Sequence, residues 1–368
     1  MKIVCDRTDL TNALATTGKA IPHHNTTLPV LTGAHFTTDG TSDITVTGTD
    51  LQTTIQTRIE TSEAPDAGEA VIPHRILSDL VKAADSETVT IMIDGDQAEI
   101  VADEFRSTIR LLPADEYPRT PDVTGDTIKI DAAGFLEGLK RTLPAAGTDV
   151  ARPILTGLLM SAEDNGLRLV ATDSYRLAVS DHPGNIMLGD NETVLVPAAS
   201  LRDVAGFVGD NDTLGVLFGD RWARFTTDTV TVTTQLLEGD FPAYKKLIPT
   251  DLPNHLRVDP DVLTAAVKRV QLMARELNTP LRLTFNPTNV VLAARTHGVG
   301  EATETVDAEY IGEPDMTVGF NPKYLIDALT AYKTIDIQMS FTGQLKPVVV
   351  RPCGHPDYIH LLMPVRLA

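Results

Sequence analysis

The sequence predicts an α+β fold built from three copies of one module. Three observations predict it: a segment that recurs at near-constant spacing, an amphipathic helix pattern at the same place in each copy, and short alternating strand patterns elsewhere. At 368 residues the chain has the length of two or three domains. A hydrophobic fraction of 42% and a charged fraction of 22% are ordinary for a folded chain and poor for a disordered one.

The recurrence is clearest around three prolines. Val71-Ile72-Pro73-His74-Arg75-Ile76-Leu77-Ser78-Asp79 resembles Val194-Leu195-Val196-Pro197-Ala198-Ala199-Ser200-Leu201-Arg202-Asp203, and both resemble Val318-Gly319-Phe320-Asn321-Pro322-Lys323-Tyr324-Leu325-Ile326-Asp327. Prolines 73, 197 and 322 are 124 and 125 residues apart. Leu31-Thr32-Gly33 answers Leu155-Thr156-Gly157, Thr49-Asp50 answers Thr172-Asp173, and the run from Leu112 to Pro118 answers that from Leu237 to Pro242. A shared offset at separate places is the signature of duplication.

Each copy opens on a strand pattern, at 2–5, 127–130 and 255–258. A helix pattern follows, carried by Leu10, Ala13, Leu14 and Thr17, then by Phe135, Leu136, Leu139 and Leu143, then by Val262, Leu263, Ala266, Val267 and Val270. Spacings of three, four and seven place these side chains on one helix face. Alternating residues such as Ile44 and Val46, or Leu167, Leu169 and Ala171, read as strands with one buried face. A strand that ends at proline then leads into a second helix, where proline at the first position loses no hydrogen bond. Strand patterns at 89–93, 230–234 and 348–351 close the copies. Proline-bearing links at 118–122 and 249–253 divide the chain into 1–122, 123–251 and 252–368.

Acidic residues number 50 and basic residues 31, a formal net charge of −19. That total reads against nucleic-acid binding, because phosphates are neutralised by lysine and arginine; local field, however, decides contact. Two cysteines, Cys5 and Cys353, exclude a four-cysteine zinc site and fit a reducing cytoplasm. Lys2-Ile3-Val4-Cys5 starts no apolar leader, and no apolar run approaches the roughly 18 residues of a membrane span. Neither a G-x-x-x-x-G-K-[ST] nor a G-x-S-x-G motif occurs, and Gly298-Val299-Gly300 lacks a third glycine. An acidic-site hydrolase or transferase built on Asp50 and Asp173 is the rival from the enzyme class; their recurrence in two copies favours a turn role instead. His23 and His24 stand without neighbouring acids or cysteines, and His355 and His360 read likewise, so neither a metal nor a cofactor is expected.

The repeat, together with Thr27-Leu28-Pro29-Val30-Leu31, Ala171-Thr172-Asp173-Ser174-Tyr175-Arg176-Leu177-Ala178-Val179, Phe241-Pro242-Ala243-Tyr244 and the terminal Leu361-Leu362-Met363-Pro364-Val365-Arg366-Leu367, resembles the bacterial DNA polymerase III beta subunit family over the whole length. The ending and the Ser174-Tyr175 tip look closest to actinobacterial members. The resemblance implies the DNA-clamp fold: three domains, each with two helices and antiparallel sheets, closing as a head-to-tail homodimeric ring around duplex DNA. It implies a non-catalytic processivity factor in the cytoplasm, associated with the nucleoid, that tethers the replicative polymerase alpha subunit, the clamp loader and repair proteins through short linear motifs.

The same resemblance implies three sets of site residues. A peptide pocket would be lined by Leu155, Thr172, Ser174, Tyr175, Arg176, Leu177, Pro242, Lys246, Leu247, Pro347, Leu361, Leu362, Met363, Pro364, Val365 and Arg366. Such an apolar slot with few polar fixers suits a short motif, and a flexible Met363 suits several partners. Cations facing DNA would be Arg75, Lys82, Lys140, Arg141, Arg152, Arg202, Lys268 and Arg269, with Lys19, Arg275, Lys323 and Lys333 beside them. The subunit contact would use Phe105 and Ile109 on one side and Leu272 and Met273 on the other; ordinary core is the alternative for all four. Departures from the family pattern are His23-His24-Asn25-Thr26 where an arginine is frequent, Ala198-Ala199 after Pro197, and Ser174, Tyr175 and Lys246 in place of glycine, histidine and arginine. A phage-borne or inhibitor-insensitive second copy stays open on those departures.

Overall fold

The computed structural model describes the whole chain except residues 23–25, 164, 165, 185, 190, 191, 210–212, 275–278, 333, 334 and 368. His23, His24, Arg275 and Lys333 therefore lie outside the described residues. Six α-helices are described, two per module: α1 (Arg7–Thr17), α2 (His74–Ala83), α3 (Ala132–Thr142), α4 (Ala198–Phe207), α5 (Pro260–Val270) and α6 (Pro322–Thr330). Among the described residues all other regular structure is antiparallel strand and short 3-10 turns.

Each module contributes two groups of strands. In the first, Lys2–Asp6, Thr88–Asp94, Gln97–Ala102 and Phe105–Arg110 form a four-stranded sheet in that order. The other group runs Gly68–Pro73, Gly33–Thr38, Asp43–Thr49, Thr53–Glu60 and continues into the second module through Val230–Gln235, Trp222–Thr226, Thr213–Phe218 and Ile128–Asp131. The remaining half of the second module (Thr193–Pro197, Gly157–Glu163, Gly166–Thr172, Arg176–Pro183) continues into the third through Tyr358–Leu362, Val348–Pro352, Ile337–Phe341, Asn254–Val258 and Glu309–Ile311. The last sheet is Gly300–Asp307, Asn289–Thr296, Leu281–Asn286 and Met316–Phe320. The chain thus divides into two compact units, Met1–Ala133 with Arg202–Leu236, and Gly134–Leu201 with Leu237–Ala368.

The helix patterns are explained by burial. Leu10, Ala13, Leu14 and Thr17 of α1 are buried in a core with Ile3, Phe36, Ile91 and Ile100. Leu263, Ala266, Val267 and Val270 of α5 pack with Leu283, Phe285 and Phe341, whereas Val262 is exposed. Asp6 caps α1 by accepting from the Thr8 and Asp9 amides, which holds its carboxyl below the usual range. Two details differ from expectation. Of the three recurring prolines, Pro73 and Pro197 end their strands and Pro322 instead occupies the first turn of its helix. The extra residue before Pro322 is the reason: Asn321 caps α6, accepting from Lys323 N (2.9 Å) and Tyr324 N (3.4 Å), worth about 1 kcal/mol. In addition, the strands at 89–93, 230–234 and 348–351 occupy three different places in their modules, because a two-residue period marks a strand but not its rank in a sheet.

Candidate functional site

Strand Arg176–Pro183 runs against Tyr358–Leu362, with Leu177 opposite Leu361 and Val179 opposite Ile359. Behind this seam Val170, Leu177, Val179, Tyr244, Val349 and Leu361 form a buried cluster, with Leu159, Phe241 and Ile248 packed against it. Over the cluster three large apolar side chains stay open to solvent: Tyr175 (59% exposed), Leu247 (53%) and Met363 (39%). Ser174, Pro242, Lys246 and Arg366 are also exposed, and Leu155, Pro347, Pro364 and Val365 are half-buried. Thr172, Arg176, Leu177, Leu361 and Leu362 are buried beneath them. The residues that the resemblance assigns to a pocket therefore separate into an exposed set and a buried set.

The terminal segment is fastened at two points. Met363 N donates to Tyr175 O (2.9 Å), and Val365 N donates to Gly319 O (2.8 Å). At Gly319 a Cβ would stand 2.6 Å from Val365 O and 2.7 Å from Leu367, so glycine is needed for this approach. These bonds hold a terminus that would otherwise fray.

The tip between strands Gly166–Thr172 and Arg176–Pro183 is a tight turn. Asp173 Oδ1 accepts from Tyr175 N (2.9 Å) and Arg176 N (3.0 Å), the Thr172 hydroxyl donates to Arg176 O (2.7 Å), and Ser174 adopts φ +78°. Beneath it the Arg176 guanidinium donates from Nε to Asp173 Oδ2 (3.0 Å) and from Nη1 to Asp327 Oδ2 (2.5 Å), and lies 4.2 Å over the Tyr324 ring. Arg152 donates to Asp149 (3.1 Å) and to the Ser174 hydroxyl (3.4 Å). Asp327 and Tyr324 on α6 were not anticipated at this site; the only trace in the sequence is the aspartate at 79, 203 and 327.

Asp50 and Asp173 share no chemistry beyond this turn. Asp50 Oδ1 accepts from Gln52 N (2.9 Å) and Thr53 N (2.7 Å), so each carboxylate closes its own hairpin. His360 is likewise structural. It is fully buried on Tyr358–Leu362, hydrogen-bonded to the Tyr358 hydroxyl (2.9 Å), and burial depresses its imidazole to about 3.

Among the predicted DNA-facing cations, Arg75 and Lys82 on α2, Lys140 on α3, Arg202 on α4 and Lys268 on α5 are exposed. Arg269 is exposed too but forks onto Glu304, at 2.9 and 2.5 Å. Arg141 is a correction: it is buried, paired with Glu137 and Asp357, and stacked 4.1 Å from the Tyr332 ring. Its helix turns it toward the sheet, a rotation that charge alone does not reveal.

Of the four predicted contact residues, Phe105 (43% exposed) and Leu272 (59%) face solvent, Met273 is half-buried, and Ile109 is core. Strands Phe105–Arg110 and Gly300–Asp307 are each the outermost strand of a four-stranded sheet. Among the described residues no helix is long and apolar enough to cross a membrane.

The chain matches the DNA polymerase III beta subunit N-terminal domain over 1–121, the central domain over 129–243 and the C-terminal domain over 245–366. It is 31% identical to the beta sliding clamp of Synechococcus elongatus and 32% identical to that of Streptomyces coelicolor, in both cases over 100% of either chain. Among solved structures it is similar to the DNA polymerase III subunit beta of Pseudomonas aeruginosa (TM-score 0.90) and of Thermotoga maritima (TM-score 0.88), each 26% identical with 100% of both chains covered. Matched by all three domain models and over its whole length by these relatives, the chain belongs to the DNA polymerase III beta subunit family and is a sliding clamp, a non-catalytic processivity factor of the polymerase III holoenzyme.

Proposed function

We propose that two copies close head to tail into a ring around duplex DNA, and that the rim at Tyr175, Leu247 and Met363 docks short peptide motifs of the replicative polymerase alpha subunit, the clamp loader and repair proteins. The observation that carries the ring is a pair of unused edges. Strand Thr53–Glu60 of the first module joins Val230–Gln235 of the second, and Arg176–Pro183 of the second joins Tyr358–Leu362 of the third. By the same offsets, Gly300–Asp307 of the third and Phe105–Arg110 of the first are the matching strands, and both end their sheets. A third junction of the same kind between two copies consumes both edges, and heterologous contacts that close by rotation make rings.

Leu272 supports the same junction. It stands where Lys19 stands in the first module, and Lys19 meets α4 through Asp203 (3.4 Å) and Phe207 (4.1 Å to the ring). Leu272 would meet α2 of a second copy in the same way, beside exposed Ile76. On this reading the repeating units are 1–122, 123–251 and 252–368. The ring acts in the cytoplasm on nucleoid DNA. The exposed cations Arg75, Lys82, Lys140, Arg202 and Lys268 face the duplex and hold it through its phosphates, without reading sequence. The acidic remainder keeps DNA off the outer surface.

Sizing and retention test the ring. The expected mass is twice 39.7 kDa, with retention on circular DNA and loss from linear DNA; a monomer, or equal loss from both, refutes it. Deleting residues 363–368 should abolish binding of a labelled motif peptide and leave the dimer intact. Unchanged affinity would move the docking site elsewhere.

A further inference from the structure

The tip at 172–176 carries a side chain that it does not need in order to fold. The first module builds the same tip without it. There the Thr49 hydroxyl donates to Thr53 O (3.0 Å), Asp50 Oδ1 accepts the amides of Gln52 and Thr53, and Leu51 adopts φ +75°. Every one of these bonds has its counterpart around Thr172, Asp173, Ser174 and Arg176. The residue in the place of Arg176 is Thr53, so the turn closes without a guanidinium. Yet Arg176 is only 5% exposed, and burying a cation is unfavourable unless its partners satisfy it.

Its partners lie on both sides, one on the turn and two on the third module. Nε reaches Asp173 on the tip, Nη1 reaches Asp327 on α6, and the guanidinium plane covers Tyr324 on the same helix. One planar fork thus spans the tip and the helix, a geometry that a lysine ammonium does not reproduce. We infer that Arg176 is a positioning residue: it fixes Ser174 and Tyr175 against α6 and the terminal segment, with Asp327 and Tyr324 as its anchor, so that the rim is preformed before a peptide arrives. The inference deepens the docking reading above and rests on it. A preformed rim binds more tightly because little ordering remains to be done on association. Met363 N to Tyr175 O and Arg152 to Ser174 also tie the tip, neither of them reaching α6, and the Asp173 carboxylate that Arg176 holds is itself hydrogen-bonded to Tyr324 on that helix.

The test uses the full-length protein as Asp327→Asn, as Arg176→Lys and as the apolar pair Arg176→Met with Asp327→Leu. The probe is a synthetic peptide of a glutamine followed by leucines and a phenylalanine. Three readouts are taken: peptide affinity, hydrogen exchange of the Tyr175 and Arg176 amides, and the thermal midpoint. All three variants should bind about tenfold more weakly or worse and exchange those two amides faster. The apolar pair should regain the wild-type midpoint, because packed apolar residues replace a buried ion pair without loss, and should still bind weakly. Affinity that returns with stability in the apolar pair overturns the inference, as does wild-type affinity in Asp327→Asn. A wild-type chain that does not take the peptide sinks the docking reading instead. The exchange readout then decides positioning alone, and unchanged exchange in Asp327→Asn overturns it.

Discussion

The two sheet junctions inside the chain use corresponding strands of successive modules and are made of different chemistry. At the first, Thr53 faces Thr234, Thr54 faces Thr233 and Ile55 faces Val232. The corresponding pairs at the second are Arg176 with Leu362, Leu177 with Leu361, and Ala178 with His360. The first junction is a threonine seam that includes two buried hydroxyls, of Thr57 and Thr233, without a hydrogen-bond partner. The second is an aliphatic seam with a buried arginine at one end and a buried histidine in the middle. Backbone pairing with the single buried pair Ile55–Val232 suffices at the first junction; the longer apolar row and the buried arginine belong to the second, beside exposed Tyr175 and Met363. Joining and docking are therefore separable properties of one strand pair.

Substitutions can break that contrast. The largest effect is expected from Leu177→Ala, which opens a cavity under the rim and should cost about 3 kcal/mol in denaturant unfolding. A cost below about 1 kcal/mol would show that the second seam is no better packed than the first. Acid comes next. His360 stays neutral in the folded chain down to about 3, through burial first and Arg176 second, against an ordinary value of 6.5. The unfolded chain takes up a proton below 6.5 that the folded chain refuses. Stability from this group is thus complete above 6.5 and falls by about 1.4 kcal/mol per pH unit as pH drops toward 3. His360→Val, which copies Val232 of the first seam, should flatten that slope in unfolding titrations; an unchanged slope assigns it to other groups.

Smaller effects sharpen the comparison from the first seam. Thr233→Val removes a buried hydroxyl without a partner and should stabilise by about 1 kcal/mol, read as a higher denaturant midpoint; destabilisation would reveal a partner for that hydroxyl. Leu51→Gly should stabilise by about 0.5–1 kcal/mol, since Leu51 holds a left-handed φ of +75°. Gly298 takes φ +74° at the matching place in the third module, where glycine already relieves the strain. No gain in the Leu51 variant would mean that its half-exposed side chain contributes as much as its backbone costs.

Much of this was legible in advance, and the misses have physical causes. The modules, their paired helices and the strand patterns followed from periodicity, because burying one face imposes a period wherever it occurs. Arg141 was read as a surface cation and is buried, since a helix pattern ranks apolar positions well and says little about a cation that stacks on Tyr332 from another segment. Ile109 and Phe105 alternate correctly on one strand face, yet one is core and the other open, because neighbouring elements cover only part of the face. Tyr324 and Asp327 escaped notice for the same reason: their meeting with Arg176 is set across 151 residues of chain.

What the amino-acid sequence determined by itself was the repeating unit, the chemistry of its turns and the apolar rows that fold it, all of which are local and recur at a fixed spacing. The tertiary structure alone decided which of those recurring places serve to join and which to present a surface: how Arg176 is shared between two carboxylates, where Met363 is tied, and which two strands are left as edges. These depend on distances between residues far apart in the chain, and a one-dimensional pattern carries no such distances.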